Sequence, residues 1–237
     1  MTNAIKRRSA AATLGACAVT LAVALTGCSS ATKTATESSP SAASATQATT
    51  ATSGLAVPDR PSGPNMTIAD YVDQNKIVET AVKQGDADSP TFDFPMPPDW
   101  KAAGPRKPEW AYGAIIYDKA EDPADPPFMT AIVSKLTGNV DPAKVLEYAP
   151  GLLQNLPGYE QDGEIQKSTL SGFEAIQFQA SYLAGEVRRY IAQKTVVIPA
   201  KDGGIFVLQI NADAPLGQDQ VVLDAAKVIN EKTTITV

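Results

Sequence analysis

From Ile176 to Asp213 the chain alternates. Ile176, Phe178, Ala180 and Tyr182 are separated by Gln177, Gln179 and Ser181, the period of a strand with one wet face. "LAGE" then turns the chain, "VRRYIAQKTVVIP" returns, "AKDGG" turns it again, and "IFVLQINAD" follows. Turns this short join only antiparallel neighbours, so these residues form a meander. "IFVLQINAD" is the most apolar strand and belongs at the centre of the sheet. Whatever else the chain contains must pack against that meander.

The remaining elements supply the packing partners. Thr67 with Asp70 resembles an N-cap for a short helix over "IADYVDQN", with Ile68, Tyr71 and Val72 on one side. "KIVETAVKQ" and "TFDFPMP" read as strands around the turn-rich "GDADSP". A Pro-rich stretch with Trp100 and Trp110 reads as irregular and leads into a strand from about 111 to 117. The loop "EDPADPP" precedes a further strand, "FMTAIVSKLTG". Asp141-Pro142 opens a helix, with an acceptor at the cap and proline at its first position. Val145, Ala149, Leu152, Leu153 and Leu156 give that helix one buried face, and Pro150 should kink or split it. Last comes an amphipathic helix with Val222, Ala225, Ala226 and Ile229 facing inward. The sum is an α+β domain over 66–237, a mainly antiparallel β-sheet flanked by helices. At 172 residues it can bury about 70% of its unfolded surface, enough for its own core.

The segment before residue 66 is of a different kind. Lys6, Arg7 and Arg8 precede an uncharged Ala/Leu/Val run that ends in Leu25-Thr26-Gly27-Cys28. An apolar residue, two small ones and cysteine form a bacterial lipobox, so residues 1–27 read as a lipoprotein signal peptide. The Cys28 thiol would take a diacylglycerol, and the new amino terminus a further acyl chain such as palmitate. Several chains, at about 0.8 kcal/mol per buried CH₂, anchor stably where one would not. Cys17 lies in the segment removed, which leaves no free thiol in the mature chain. Residues 28–65 then form a lipidated cysteine and a Ser/Thr/Ala-rich tether with too little apolar surface to fold. As a random coil it would reach roughly 30–40 Å. The expected location is the extracytoplasmic face of the cell membrane or the cell envelope surface, and the expected state a monomer. Asn65-Met66-Thr67 matches a glycosylation sequon by coincidence.

Charge and residue usage exclude much chemistry. Of 20 basic and 26 acidic groups, 15 and 24 fall in 66–237, a net of −9. Nucleic acid is therefore not an expected partner, because Lys and Arg must neutralise its phosphates. The chain has no histidine, which removes Ser-His-Asp sites and imidazole metal sites. No phosphate-binding Gly-rich loop appears, and no cofactor or metal is expected. Asp118, Glu121, Asp122 and Asp125 cluster in one loop; a carboxylate pair there could hydrolyse a glycan or hold calcium, but a solvated acidic connection is the better reading. Arg188 and Arg189 alternate across a strand, which offers one of them an inward position or a ligand, with a surface salt-bridge partner as the default reading. Trp100, Trp110 and Tyr112 are the candidate ligand-binding residues, since flat aromatic faces suit sugars and amphipathic molecules. The alternative is that the tryptophans plug the edge of the core, Trp100 more so than Trp110.

"TIADYV", "FDFPMPPDW", "DPPFMTAIVSKLTGNVDPAKVLEYAPGLLQNLPGY", "AQKTVVIP" and "FVLQINADA", in that order, resemble the LpqN/LpqT lipoprotein family of actinobacteria. The resemblance spans essentially all of 66–237. It implies a Mog1/PsbP-like fold, an antiparallel sheet between helices. It further implies a non-enzymatic binding or accessory role in the cell envelope, with trehalose-type glycolipids, lipid exporters or secreted envelope enzymes as partners. No catalytic residue set carries over. A protein–protein interaction module without a small ligand is the second expectation, and a carboxylate-based glycan hydrolase the third.

Overall fold

In the computed structural model, which describes residues 63–237, the first helix starts where the sequence offers a complete cap. The Thr67 hydroxyl accepts from the Asp70 amide, and the Asp70 carboxylate accepts from the Thr67 amide, closing a capping box on α1 (Ile68–Gln74). Three short strands follow: β1 (Val78–Ala81), β2 (Thr91–Asp93) and β3 (Trp100–Ala102). A 3-10 turn at Gly104–Arg106 leads to β4 (Gly113–Tyr117) and the longer β5 (Phe128–Thr137). Asp141 caps α2 (Pro142–Tyr148) through the Ala143 amide. As expected, proline interrupts this helix: Pro150 ends it, and α3 (Gly151–Gln154) follows at once. Four long strands come next: β6 (Glu160–Leu170), β7 (Phe173–Ala184), β8 (Val187–Pro199) and β9 (Ile205–Pro215). The chain closes with α4 (Asp219–Lys232) and β10 (Thr234–Thr236).

All but two of these strands build one antiparallel sheet in the order β3-β4-β5-β9-β8-β7-β6. β1 joins it on the same edge of β5 as β4, end to end: β4 takes Phe128 to Ala131, and β1 takes Ser134 to Thr137. β9 sits in the middle, between β5 and β8, where its two apolar faces are both covered. β10 and β2 pair as a separate ribbon.

Odd and even residues of each strand face different layers, and helices cover both sides of the sheet. On one side Val196, Phe206 and Leu208 meet Val222, Ala225 and Ile229 of α4 and Phe92 and Ile235 of the ribbon. On the other, Val197, Val207 and Leu136 meet Tyr71 and Val72 of α1 and Val145 of α2. Phe178, Ala180 and Ile191 extend that second layer under Leu153 of α3. Each fully buried aliphatic side chain contributes about 1.5–3 kcal/mol by removal from water. Leu208 is wholly enclosed, and Leu208→Ala would cost about 2–5 kcal/mol.

Three elements depart from the sequence expectation. The Pro-rich stretch expected to be irregular supplies β3, whose Trp100 lies opposite Tyr117 of β4. β6 was not anticipated, because only Ile165 and Leu170 among its residues are apolar and nearly all of it is exposed. Thr234–Thr236, beyond the last helix and given no element from the sequence, pairs with β2. The expected signal peptide at 1–27, the expected lipidation at Cys28 and nearly all of the expected tether at 28–65 lie outside the described residues.

The described chain enters on the α3 side of the sheet. The Asn65 amide nitrogen and side chain both donate to Asn155 Oδ1 at 3.1 Å, and Asn155 Nδ2 donates to the Asn65 carbonyl at 2.8 Å. A sugar on Asn65 would break this clip, which accords with a chance sequon. Gly151 is required beside it, since a Cβ there would lie 2.0 Å from the Met66 carbonyl oxygen.

Candidate functional site

Trp100 and Tyr112 are core residues. Trp100 is 7% exposed and packs against Tyr117 with ring centres 5.8 Å apart. Tyr112 is 9% exposed and stands edge-on to Phe92 at 5.3 Å. Burial, then the Asp86 charge, raises its phenol pKa. The reason is register: the β3–β4 pairing turns Trp100 into the core instead of presenting it. Trp110 is half-buried beside the fully buried Ala111. None of the three lines the cleft that follows.

Of the charged candidates, only Arg189 and Asp125 bond each other; Asp118, Asp122 and Arg188 are held by other neighbours. Asp118 pairs with Lys101, and Asp122 accepts from the Ala124 amide within its own loop. Arg189 is the inward-facing arginine. Its Nη1 bonds Asp125 at 2.6 Å, and its Nε and Nη2 reach Asp213 Oδ1 at 2.7 and 2.5 Å. The Tyr182 hydroxyl donates to the other Asp213 oxygen at 2.7 Å. Burial pushes the Asp213 carboxyl upward against the pull of Arg189 and Tyr182. Arg188 faces the rim, bonded to Glu160, Ser181 and the Gly158 carbonyl. Among the described residues no group of three His, Cys, Asp or Glu is placed to hold a metal ion, and no helix is long and apolar enough to cross a membrane.

The largest chemical contrast lies under α4. A cavity of about 420 Å³ opens between this helix and the sheet. Its floor is two adjacent rows across the strands. From β6 to β5, one row reads Asp162, Gln179, Ala192, Ala212, Met129. The next reads Gln166, Gln177, Lys194, Ile210 from β6 to β9. Leu223, Ala226, Lys227 and Asn230, spaced at helical intervals, form the roof. The rim at β6 is shaped by a bulge between Asp162 and Gln166, with Gly163 at φ +74°. Beyond the apolar end, a slot of about 90 Å³ continues toward Phe94, Met96 and Ile115. Met129, Ile210 and Ile229 line both spaces. The floor therefore grades from amides and charges at β6, through two alanines, to a wholly apolar end near β4.

Three polar groups of this face are under-satisfied. Lys194 is 6% exposed; its Nζ donates to the Thr169 carbonyl at 3.1 Å and makes no ion pair among the described residues, and burial lowers its pKa. The Tyr190 hydroxyl, one row away, is buried without a hydrogen-bond partner. Burial first, then Asp162 and Asp219, pushes it up to about 12. Ser168 Oγ, in the row on the other side, is likewise buried without a partner. No sequence motif marks this site. The strand rows that build it join residues far apart in the chain, and β6 carries little apolar signal. An apolar stripe on α4 beside Lys227 and Asn230 was the one available hint.

An arrangement of this kind can bind and orient an amphiphile. Residues 64–236 match the family described as "Probable lipoprotein LpqN". Lipoprotein LpqN of Mycobacterium tuberculosis is 52% identical over 175 residues, which cover 74% of this chain and 76% of that protein. A crystal structure of LpqN, described as involved in cell envelope biogenesis of M. tuberculosis, superposes with a TM-score of 0.70 at 52% identity, covering 74% of this chain and all of that one. With the α+β fold in agreement over the matched region, the chain belongs to the LpqN lipoprotein family.

Proposed function

We propose that this chain is a lipid-anchored, non-enzymatic binding protein of the cell envelope that carries an amphipathic glycolipid, of the trehalose type, in the cleft under α4. The observation that supports this reading is that Met129, Ile210 and Ile229 line both the polar cavity and the apolar slot, so the two spaces adjoin across one shared wall. A sugar headgroup over the glutamines of β6 and β7 would place its chain over the alanines and into the slot. An accessory role beside lipid exporters or secreted envelope enzymes fits a carrier of this kind. The engagement of the Asp118–Asp125 loop in ion pairs and turns supports binding over hydrolysis. Cys28 serves as the membrane anchor, on the extracytoplasmic face.

The test is titration of trehalose monolaurate and of trehalose alone into the full chain carrying Cys28→Ala, which removes the lipid. Ala226→Trp, on the roof and half-buried, fills the cleft without opening the core. We expect the monolaurate to bind at least tenfold tighter than trehalose, and Ala226→Trp to weaken it tenfold or more with an unchanged melting temperature. Equal affinity in the two proteins would overturn the assignment of the cleft. Retention of the Cys28→Ala protein in membranes after a high-salt wash would overturn the anchor.

A further inference from the structure

Lys194 is the one buried lysine among the described residues; Lys83 and Lys107 also bond only a backbone carbonyl, but both are exposed. Lys101, Lys119, Lys135 and Lys144 each face a carboxylate while substantially more exposed. Lys194, at 6% exposure, has a single neutral acceptor, the Thr169 carbonyl. An ammonium carries three donors, so two have no protein partner. Burying a cation without a counter-charge is strongly unfavourable, and proteins tolerate it chiefly where the charge has work to do.

Position gives that charge a direction. The side chain starts from the cleft floor, between Gln177 and Ile210, and reaches the Thr169 carbonyl of β6, just past the Gln166 edge of the cleft. Gln166 and Gln177 flank it on the same row with amide donors. Lys227 adds a second cation from the roof. Ser168 Oγ, buried and without a partner, belongs to the adjoining row. Acids also line the cleft: Asp162 and Glu164 on the β6 rim and Glu231 on α4. These are exposed, so water and salt screen them, whereas a charge at the position of Lys194 acts through a lower dielectric. The buried charge therefore dominates selection inside the cleft, and the exposed acids weakly oppose it.

We propose that Lys194 is an anion post at the polar end of this cleft, selecting ligands that carry a phosphate group over neutral sugars. The proposal rests on the cleft reading above, keeps its amphipathic ligand, and replaces the neutral sugar headgroup by one that carries a phosphate. The phosphate is expected on a lipid headgroup, since the apolar slot opens from the same floor.

Three probes separate the cases on the full chain carrying Cys28→Ala: dodecyl phosphate, dodecyl maltoside and inorganic phosphate, the amphiphiles below their micelle concentrations. We expect dodecyl phosphate to bind at least tenfold tighter than dodecyl maltoside. Lys194→Met should erase that preference, and Lys194→Arg should keep most of it. Inorganic phosphate binding as tightly as dodecyl phosphate would uphold the post and assign it to the free ion. Wild-type protein that binds the two amphiphiles equally, or prefers the maltoside, overturns the proposal without recourse to any variant and leaves the cleft standing. Failure of both amphiphiles to bind overturns the proposal and the carrier function together.

Discussion

Asp213→Ala tests the buried charge network at the end of the sheet. The carboxylate takes two contacts from Arg189 and one from Tyr182, all between 2.5 and 2.7 Å. Its side chain is 21% exposed and that of Arg189 is 12% exposed. Removing one partner of a buried pair costs about 3–5 kcal/mol, because the other charge is left uncompensated. Here Arg189 keeps Asp125, but Asp125 is half in solvent and compensates less. The expected loss is therefore about 2–3 kcal/mol, out of a total stability on the order of 5–15. Tyr182→Phe should cost about 0.5–1.5 kcal/mol, and combining the two should add little to Asp213→Ala, since the hydroxyl has then already lost its acceptor. Urea unfolding followed by circular dichroism would measure all three. Repeating it in 1 M salt adds a second criterion: the loss should persist, unlike that of an exposed pair. A loss below 1 kcal/mol, or one abolished by salt, would mean that the network is no more than a surface ion pair.

Two further outcomes are expected. Trp100→Ala should lower stability by about 3–5 kcal/mol, as befits an emptied core site, whereas Trp110→Ala should leave dodecyl maltoside affinity within twofold of wild type; a tenfold loss at Trp110 would return it to the binding site. Lys194→Met should raise stability at neutral pH, since the folded state there bears a buried charge that the unfolded chain hydrates. With its folded pKa lowered, Lys194 sheds its proton earlier on folding, so the wild type gains stability as pH rises from that lowered value toward the ordinary lysine value near 10.4, and the advantage of Lys194→Met should shrink over the same range. Urea midpoints at pH 7 and pH 10 check this, and an advantage that grows with pH would contradict it.

The layered fold was legible because its signals are local. Alternation from Ile176 to Tyr182 and short turns dictated the meander, and apolar character on both faces put β9 at the centre. Thr67 with Asp70, and Asp141 with Pro142, marked two helix starts through chemistry confined to a few residues. β6 escaped because hydrophobic periodicity reports burial, and this edge strand has almost none. Its one overlooked cue was Ser171-Gly172, both in the left-handed region, a two-residue turn that joins Leu170 to Phe173. The aromatic candidates were chosen for their residue type, whereas the β3–β4 register decided the orientation of Trp100 and packing against Phe92 that of Tyr112. The cleft itself could not be read from the chain, because each floor row draws single residues from strands tens of positions apart.

One consequence follows from where the described chain begins. The Asn65–Asn155 clip and α1 lie on the α3 side of the sheet, whereas the cleft opens on the α4 side. A pull applied through the residues before Gly63 would therefore load the clip and the first helix, and the sheet would bear that load before the roof helix felt it. Mechanically, the point where the described chain enters the fold and the cleft mouth lie on opposite faces of one hydrogen-bonded sheet, so strain at the first need not open the second.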